Sequence, residues 1–183
     1  MIMNIKVYNG IELPKEILQS RLHNLRRKKN WYRLIRSLLI TSLLIFLLFG
    51  VFFGIGFVRG QSMIPFFSDG DLVLIWRLSG EYHCNDVIFF GYNTKQCELL
   101  KRVVAVPGDT VDADESGRLK VNGNVMEDAF IRPGIEYPVT LLENEYFVLG
   151  DNKEVAMDSR NFGPVTKSDI DGKVILVFRT QIH

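Results

Sequence analysis

The sequence predicts a mainly β fold, an antiparallel domain of folded, barrel-like sheets attached to one N-terminal transmembrane helix. Three observations carry that expectation. Residues 37–58 run for 22 positions without a charge, between Arg36 and Arg59. Beyond them the chain breaks into short stretches rich in Val, Ile, Leu and Phe, separated by clusters of Gly, Asn and Asp. No long amphipathic helical pattern, internal repeat or low-complexity stretch follows the uncharged run.

The 183 residues allow one folded domain plus an extra element. A net charge of +1 conceals a steep asymmetry. Residues 1–36 hold nine Lys/Arg against Glu12 and Glu16, a net of +7, and the remaining 13 basic and 19 acidic residues leave −6. Such a basic leader suits nucleic acid or a membrane surface. Its run Arg26-Arg27-Lys28-Lys29 lacks aromatic interleaving and precedes an apolar span, so membrane lipid is expected and nucleic acid is not. Pro14-Lys15-Glu16 is expected to open a short helix within the leader.

At 1.5 Å per residue, 22 residues cover roughly 33 Å, enough for a bilayer core. A cleaved targeting signal has a shorter apolar region, a shorter basic leader and a small-residue cleavage site, none of which fits. The expected division is a basic leader over 1–36, a transmembrane helix over 37–58 and an exterior β domain over 59–183. Because Lys and Arg favour the cytoplasmic side, the chain is expected to be a single-pass cell-membrane protein with its N-terminus cytoplasmic. Gly50 and Gly54 form a small-xxx-small pair, a candidate dimerisation face.

The expected strands are Leu72–Trp76, Asp86–Phe90, Glu98–Val106, Arg118–Val121, Glu145–Leu149 and Lys173–Arg179, with a hairpin turn at Asn122-Gly123-Asn124. Another hairpin is expected to turn through Gly91-Tyr92-Asn93-Thr94. It is flanked by Cys84 and Cys97, which lie where a disulfide could persist but would not face each other directly. Two free thiols are the default, and a bridge stays open.

The chemistry centres on Gly60-Gln61-Ser62-Met63-Ile64-Pro65, just past the span. Thirty-nine residues on, Lys101 sits in the apolar run Leu99 to Val106. A serine needs a base before it attacks a carbonyl, and a lysine serves only when neutral. Burial in an apolar strand disfavours the ammonium and supplies the neutral amine. Ser62 and Lys101 therefore read as nucleophile and base. A third stretch, Gly150-Asp151-Asn152 followed by Asp158-Ser159-Arg160, can brace such a site. Arg102 and Arg160 are the natural partners of Asp158, a surface ion pair of little energetic weight. His83 has no visible Asp or Ser partner, His23 is cytoplasmic and His183 is terminal. No HExxH or CxxC pair suggests a metal, and no cofactor is expected.

Together these three ordered motifs behind one anchor resemble the bacterial type I signal peptidases, over roughly residues 37–178. The resemblance implies a membrane serine endopeptidase with Ser62 as nucleophile and Lys101 as general base. It implies the family's large antiparallel β domain, exported preproteins with small residues at −1 and −3 as substrates, and the Ser62 N–H as first oxyanion donor. Met63 and Pro65 match the serine motif, and Arg102 the lysine motif.

Several positions depart from the pattern. Gly60 stands where some members carry a serine, so the second oxyanion donor is open. Phe66 replaces the usual threonine, and Lys153 the usual arginine, losing a bidentate fork. Ala156 replaces a serine that orients the lysine, so Lys101 must be held by packing and other neighbours. Ile64, Phe66 and Phe67 either rest against lipid or pack in the core. The alternative reading is a peptidase-like assembly partner for a secreted subunit such as a pilin, with weak or no proteolysis. Self-cleaving repressors share a Ser/Lys dyad, but they are soluble and the anchor counts against them.

Overall fold

The computed structural model describes residues 15–92 and 97–180, which fall into two compact units, Met1–Phe49 and Gly50–His183. Pro14, Asn93, Thr94 and His183 lie outside the described residues. The first long element is α1, Lys15–Phe52. What the sequence suggested as a short leader helix is thus the start of one continuous helix. Its stretch Arg27–Phe52 is 26 residues, about 39 Å at 1.5 Å per residue. Apolar side chains on every side of it, among them Leu38, Phe46 and Phe49, are exposed, as a helix surrounded by lipid requires.

The helix stops six residues short of the expected Val58. Phe53–Phe57 is instead a strand, β1. Two glycines in Phe-Gly-Ile-Gly-Phe weaken a helix by about 1 kcal/mol each. Burial alternates residue by residue, so the apolar run changes from helical to strand period. Ending the helix there dissolves the Gly50/Gly54 face: Gly50 is helical, Gly54 lies in β1, and a side chain at Gly54 would meet Arg77.

The remaining strands are β2 (Leu72–Trp76), β3 (Val87–Tyr92), β4 (Cys97–Ala105), β5 (Thr110–Ala113), β6 (Arg118–Val121), β7 (Asn124–Phe130), β8 (Val139–Thr140), β9 (Glu145–Leu149), β10 (Val165–Thr166) and β11 (Ile170–Phe178). A four-residue helix, α2, covers Ser159–Phe162. All six expected strands are present, shifted by a few residues at most. The mainly β, antiparallel fold is the one the sequence predicts. Asn122 and Gly123 take φ of 50° and 82°, the left-handed pair that a two-residue hairpin needs, and Val121 pairs with Asn124. The β3–β4 turn lies further on than expected, because Gly91 and Tyr92 still pair with Glu98 and Cys97. Cys84 and Cys97 are free and exposed.

Seven strands form one sheet in the order β1-β2-β11-β3-β4-β9-β10, and four form a second in the order β7-β6-β5-β8. Alternation distributes the core. From β3, Phe89 packs with Met63, Phe67 and Leu100, whereas Ile88 and Phe90 pack with Val103, Tyr146 and Val148. From β9, Phe147 and Leu149 face the second sheet and meet Val111, Leu119 and Leu141. The strand β9 thereby ties both sheets together. Phe147→Ala is expected to cost about 3–5 kcal/mol, read as a lower denaturant midpoint for the solubilised chain.

Candidate active site

Ser62 stands on a turn, half-buried, between the end of β1 and β2. Its neighbour Met63 is buried in the core, and the Met63 carbonyl accepts from the N–H groups of Phe66 and Phe67. The peptide between Ile64 and Pro65 is cis. Of the three apolar residues near Ser62, Phe67 packs in the core, whereas Ile64 and Phe66 are 38% and 60% exposed.

Lys101 lies at the middle of β4, opposite Ile88 of β3. On its other edge β4 gains a partner only from Arg102, which pairs with Leu149 at the end of β9. The chain therefore leaves the sheet at Gly150, beside Lys101, and the segment 150–158 turns toward Ser62. Lys101 is 2% exposed, and its Nζ sits 2.9 Å from Ser62 Oγ and donates to the Leu100 carbonyl at 2.8 Å. That carbonyl answers how the amine is held while Ala156, fully buried, offers no hydroxyl. Burial pulls the Lys101 amine down from 10.5 to about 8, against the opposing pull of the Asp158 and Asp151 carboxylates.

The sequence paired both arginines with Asp158 at the surface. The structure separates them. Arg102 makes a two-pronged bond to Asp151, at 2.7 and 2.8 Å, which holds its guanidinium further toward the charged form. Arg102 also donates to the Asn85 carbonyl and lies over the Phe66 ring at 5.2 Å. Phe66, at a position expected to carry threonine, thus serves as a platform for that arginine. Asp158 and Arg160 form a buried pair, 0% and 2% exposed, joined at 2.8 Å by both prongs. Asp158 also accepts from the Gly150 N–H at 3.0 Å and caps α2 with Asn161. A buried pair with its hydrogen bonds completed is a different object from a surface bridge, because losing one partner strands a charge.

Asn152 touches Ser62 directly: its N–H donates to the Ser62 carbonyl at 3.0 Å. Gly60 has φ +78°, and its N–H is taken by Asp69 at 2.6 Å, so that N–H is not a free second oxyanion donor. Lys153 points away, to Asp128 at 2.9 Å. His83, largely exposed, has Asp86 at 3.9 Å after all, with no link to Ser62. Asp69, the Leu100 carbonyl and Arg132 were not foreseen. Asp69 and Arg132 belong to no motif, and all three act through backbone.

A cleft of about 150 Å³ opens beside the pair, walled by 55–59 with the end of β1, by Ser62 and Met63, and by 98–101 of β4. Gly150 closes the back of Ser62. A side chain there would collide with the Ala156 Cβ and come within 2.6 Å of the Ser62 carbonyl. Gly150→Ala is expected to fold yet displace Ser62, by about 1 Å or more in a crystal structure of the variant. An unmoved Ser62 would refute that placement.

A family model described as "Signal peptidase, peptidase S26" matches residues 31–179. Signal peptidase I P of Bacillus subtilis subsp. natto is 29% identical over 170 residues, spanning 84% of this chain and 91% of its own. Signal peptidase I of Bacillus caldolyticus is 30% identical over 172 residues, spanning 81% and 89%. A solved signal peptidase I from Enterococcus faecalis V583 overlaps 52% of this chain and 97% of its own at 26% identity, with a TM-score of 0.41. The match runs from within α1 to one residue past the end of β11, so most of the anchor helix and the whole β domain are covered as one unit of sequence. The chain belongs to the signal peptidase family, membrane-anchored serine endopeptidases that remove signal peptides from preproteins.

Proposed function

We propose that Ser62 is the nucleophile and Lys101 the general base of this peptidase. The observation that carries the reading is the 2.9 Å approach of a buried lysine amine to a serine hydroxyl at the mouth of a cleft. Neutral Lys101 takes the Ser62 proton as Oγ bonds to the scissile carbonyl carbon. The resulting ammonium gives that proton to the leaving amine as the C–N bond breaks, leaving an acyl ester on Ser62. Lys101 then takes a proton from water, hydroxide oxygen attacks the ester, and the proton returns to Ser62 Oγ. The Ser62 N–H is the first oxyanion donor.

Asp151 with Arg102, and Asp158 with Arg160, hold the segment that carries Gly150 and Asn152 against Ser62. Small side chains at −1 and −3 suit a cleft well below the roughly 300 Å³ of a drug-sized pocket. Exposed Ile64 and Phe66 meet lipid beside the site. We place the N-terminus in the cytoplasm, the membrane span in α1 up to Phe52 and the catalytic domain outside from Phe53 onward, by the basic bias of residues 1–36. A dedicated pilin-type subunit falls within this reading as a substrate. A purely non-proteolytic assembly role is not favoured by relatives that are named as peptidases.

The test is cleavage of an exported preprotein by the detergent-solubilised chain and its Ser62→Ala and Lys101→Ala variants. Both variants are expected to lose activity by at least a thousandfold. Because the ammonium form is inactive, parental kcat/KM should climb with pH and level off above about 8. Wild-type cleavage by either variant, or a rate independent of pH from 6 to 9, would contradict the dyad.

A further inference from the structure

Arg132 stands in the connection between β7 and β8, where the sequence showed no motif. Its guanidinium is spent on one stretch of backbone. Nη1 donates to the Ala156 carbonyl at 2.9 Å, and Nη2 donates to the carbonyls of Lys153 and Glu154 at 2.8 and 2.6 Å. Arg160 Nη2 donates to the same Lys153 carbonyl at 2.7 Å, so two guanidinium groups converge there. The segment they grip has no strand partner and lies between Gly150 and Asp158. One end touches the dyad through the Asn152 N–H on the Ser62 carbonyl, and the other lies beside Gly150 through the Ala156 Cβ.

The base from which Arg132 reaches is fixed independently. At Gly134 a side chain would come within 2.5 Å of the Asn161 carbonyl, and Ile135 packs over Gly163. Arg132 is thus carried on a loop pressed against α2, with a planar fork suited to several carbonyls at once. Lys153 gives this stretch no such help, because its ammonium is turned out to Asp128.

We propose that Arg132 is a positioning residue for the signal-peptide reaction, holding the 153–156 backbone so that Asn152 keeps Ser62 beside Lys101 and Ala156 stays packed beside Gly150. It touches neither substrate nor dyad and acts only through the segment it clamps. The proposal rests on the Ser62/Lys101 reading. A positional error of about 1 Å at a nucleophile costs on the order of a hundredfold in rate. The loss should fall on kcat, because apart from Ser62 and Met63 the cleft walls come from 55–59, Phe89 and 98–101, whereas the hydrogen bonds of Arg132 go to 153–156.

The experiment measures kcat and KM for a preprotein with small residues at −1 and −3, using the full-length solubilised chain. Arg132→Met, Arg132→Lys and Ser62→Ala are compared with the parent, each with its thermal unfolding midpoint. Arg132→Met is expected to lower kcat tenfold or more, with KM within twofold and the midpoint within a few degrees. Arg132→Lys should recover only a small part, since a single nitrogen cannot stand in both places that Nη1 and Nη2 occupy. Parent-like kcat in Arg132→Met while Ser62→Ala is inert rejects the Arg132 proposal alone. Losses in kcat that follow the folded fraction in both Arg132 variants also reject it, because the arginine would then hold the fold and not the site. Cleavage by Ser62→Ala rejects the dyad, and with it the route by which Arg132 acts.

Discussion

A lysine amine kept out of water beside a serine hydroxyl is the constraint on which the rest of this domain depends. Desolvation strips the Lys101 ammonium of hydration, while Asp158 and Asp151 pull the other way, and burial wins because each carboxylate is already engaged by an arginine. Fork and carboxylate satisfy one another, which leaves Lys101 to the Leu100 carbonyl and Ser62. The arrangement has a stability cost with a definite sign. Between about 8 and 10.5 the unfolded chain holds a proton on Lys101 that the folded chain has released, so stability rises with pH across that window. Below it, the folded state carries a buried cation.

The sheets exist in the form that makes this burial work. Lys101 lies where β4 has β3 on one edge and has not yet gained β9 on the other. The vacated edge gives room for the Ser62 turn and for the 150–158 segment that closes over it. The strand β9 faces two hydrophobic cores at once, so the point where the chain leaves the sheet is rigidly placed. Membrane anchoring follows from the same stretch of chain: α1 ends at Phe52, and only nine residues separate it from Ser62.

The anchor, the antiparallel class and six strands were legible because each rests on local pattern, whether an uncharged run or short apolar segments between turn residues. That Ser62 and Lys101 come together was legible too, one from its motif and the other from the apolar strand around it. What escaped depends on register and on backbone. The strand β1 hid inside the uncharged run, where only the Phe-Gly-Ile-Gly-Phe alternation marks it. The strand β7, buried only at Ala129 and half-buried at Met126, carries too weak a period to be seen. The division of arginines between Asp151 and Asp158 follows from β4 lying beside β9, a fact about pairing that no spacing reveals. Arg132 acts on carbonyls, which have no letter in the sequence.

The most direct test of the central claim is to titrate the Lys101 side-chain amine itself, by nitrogen NMR of the ¹⁵N-lysine-labelled chain in detergent, assigned with Lys101→Met. A midpoint near 8, well below the other lysines, is the predicted result. A midpoint near 10.5 would mean that water reaches the amine, and a lysine so hydrated could not serve as the base near neutral pH.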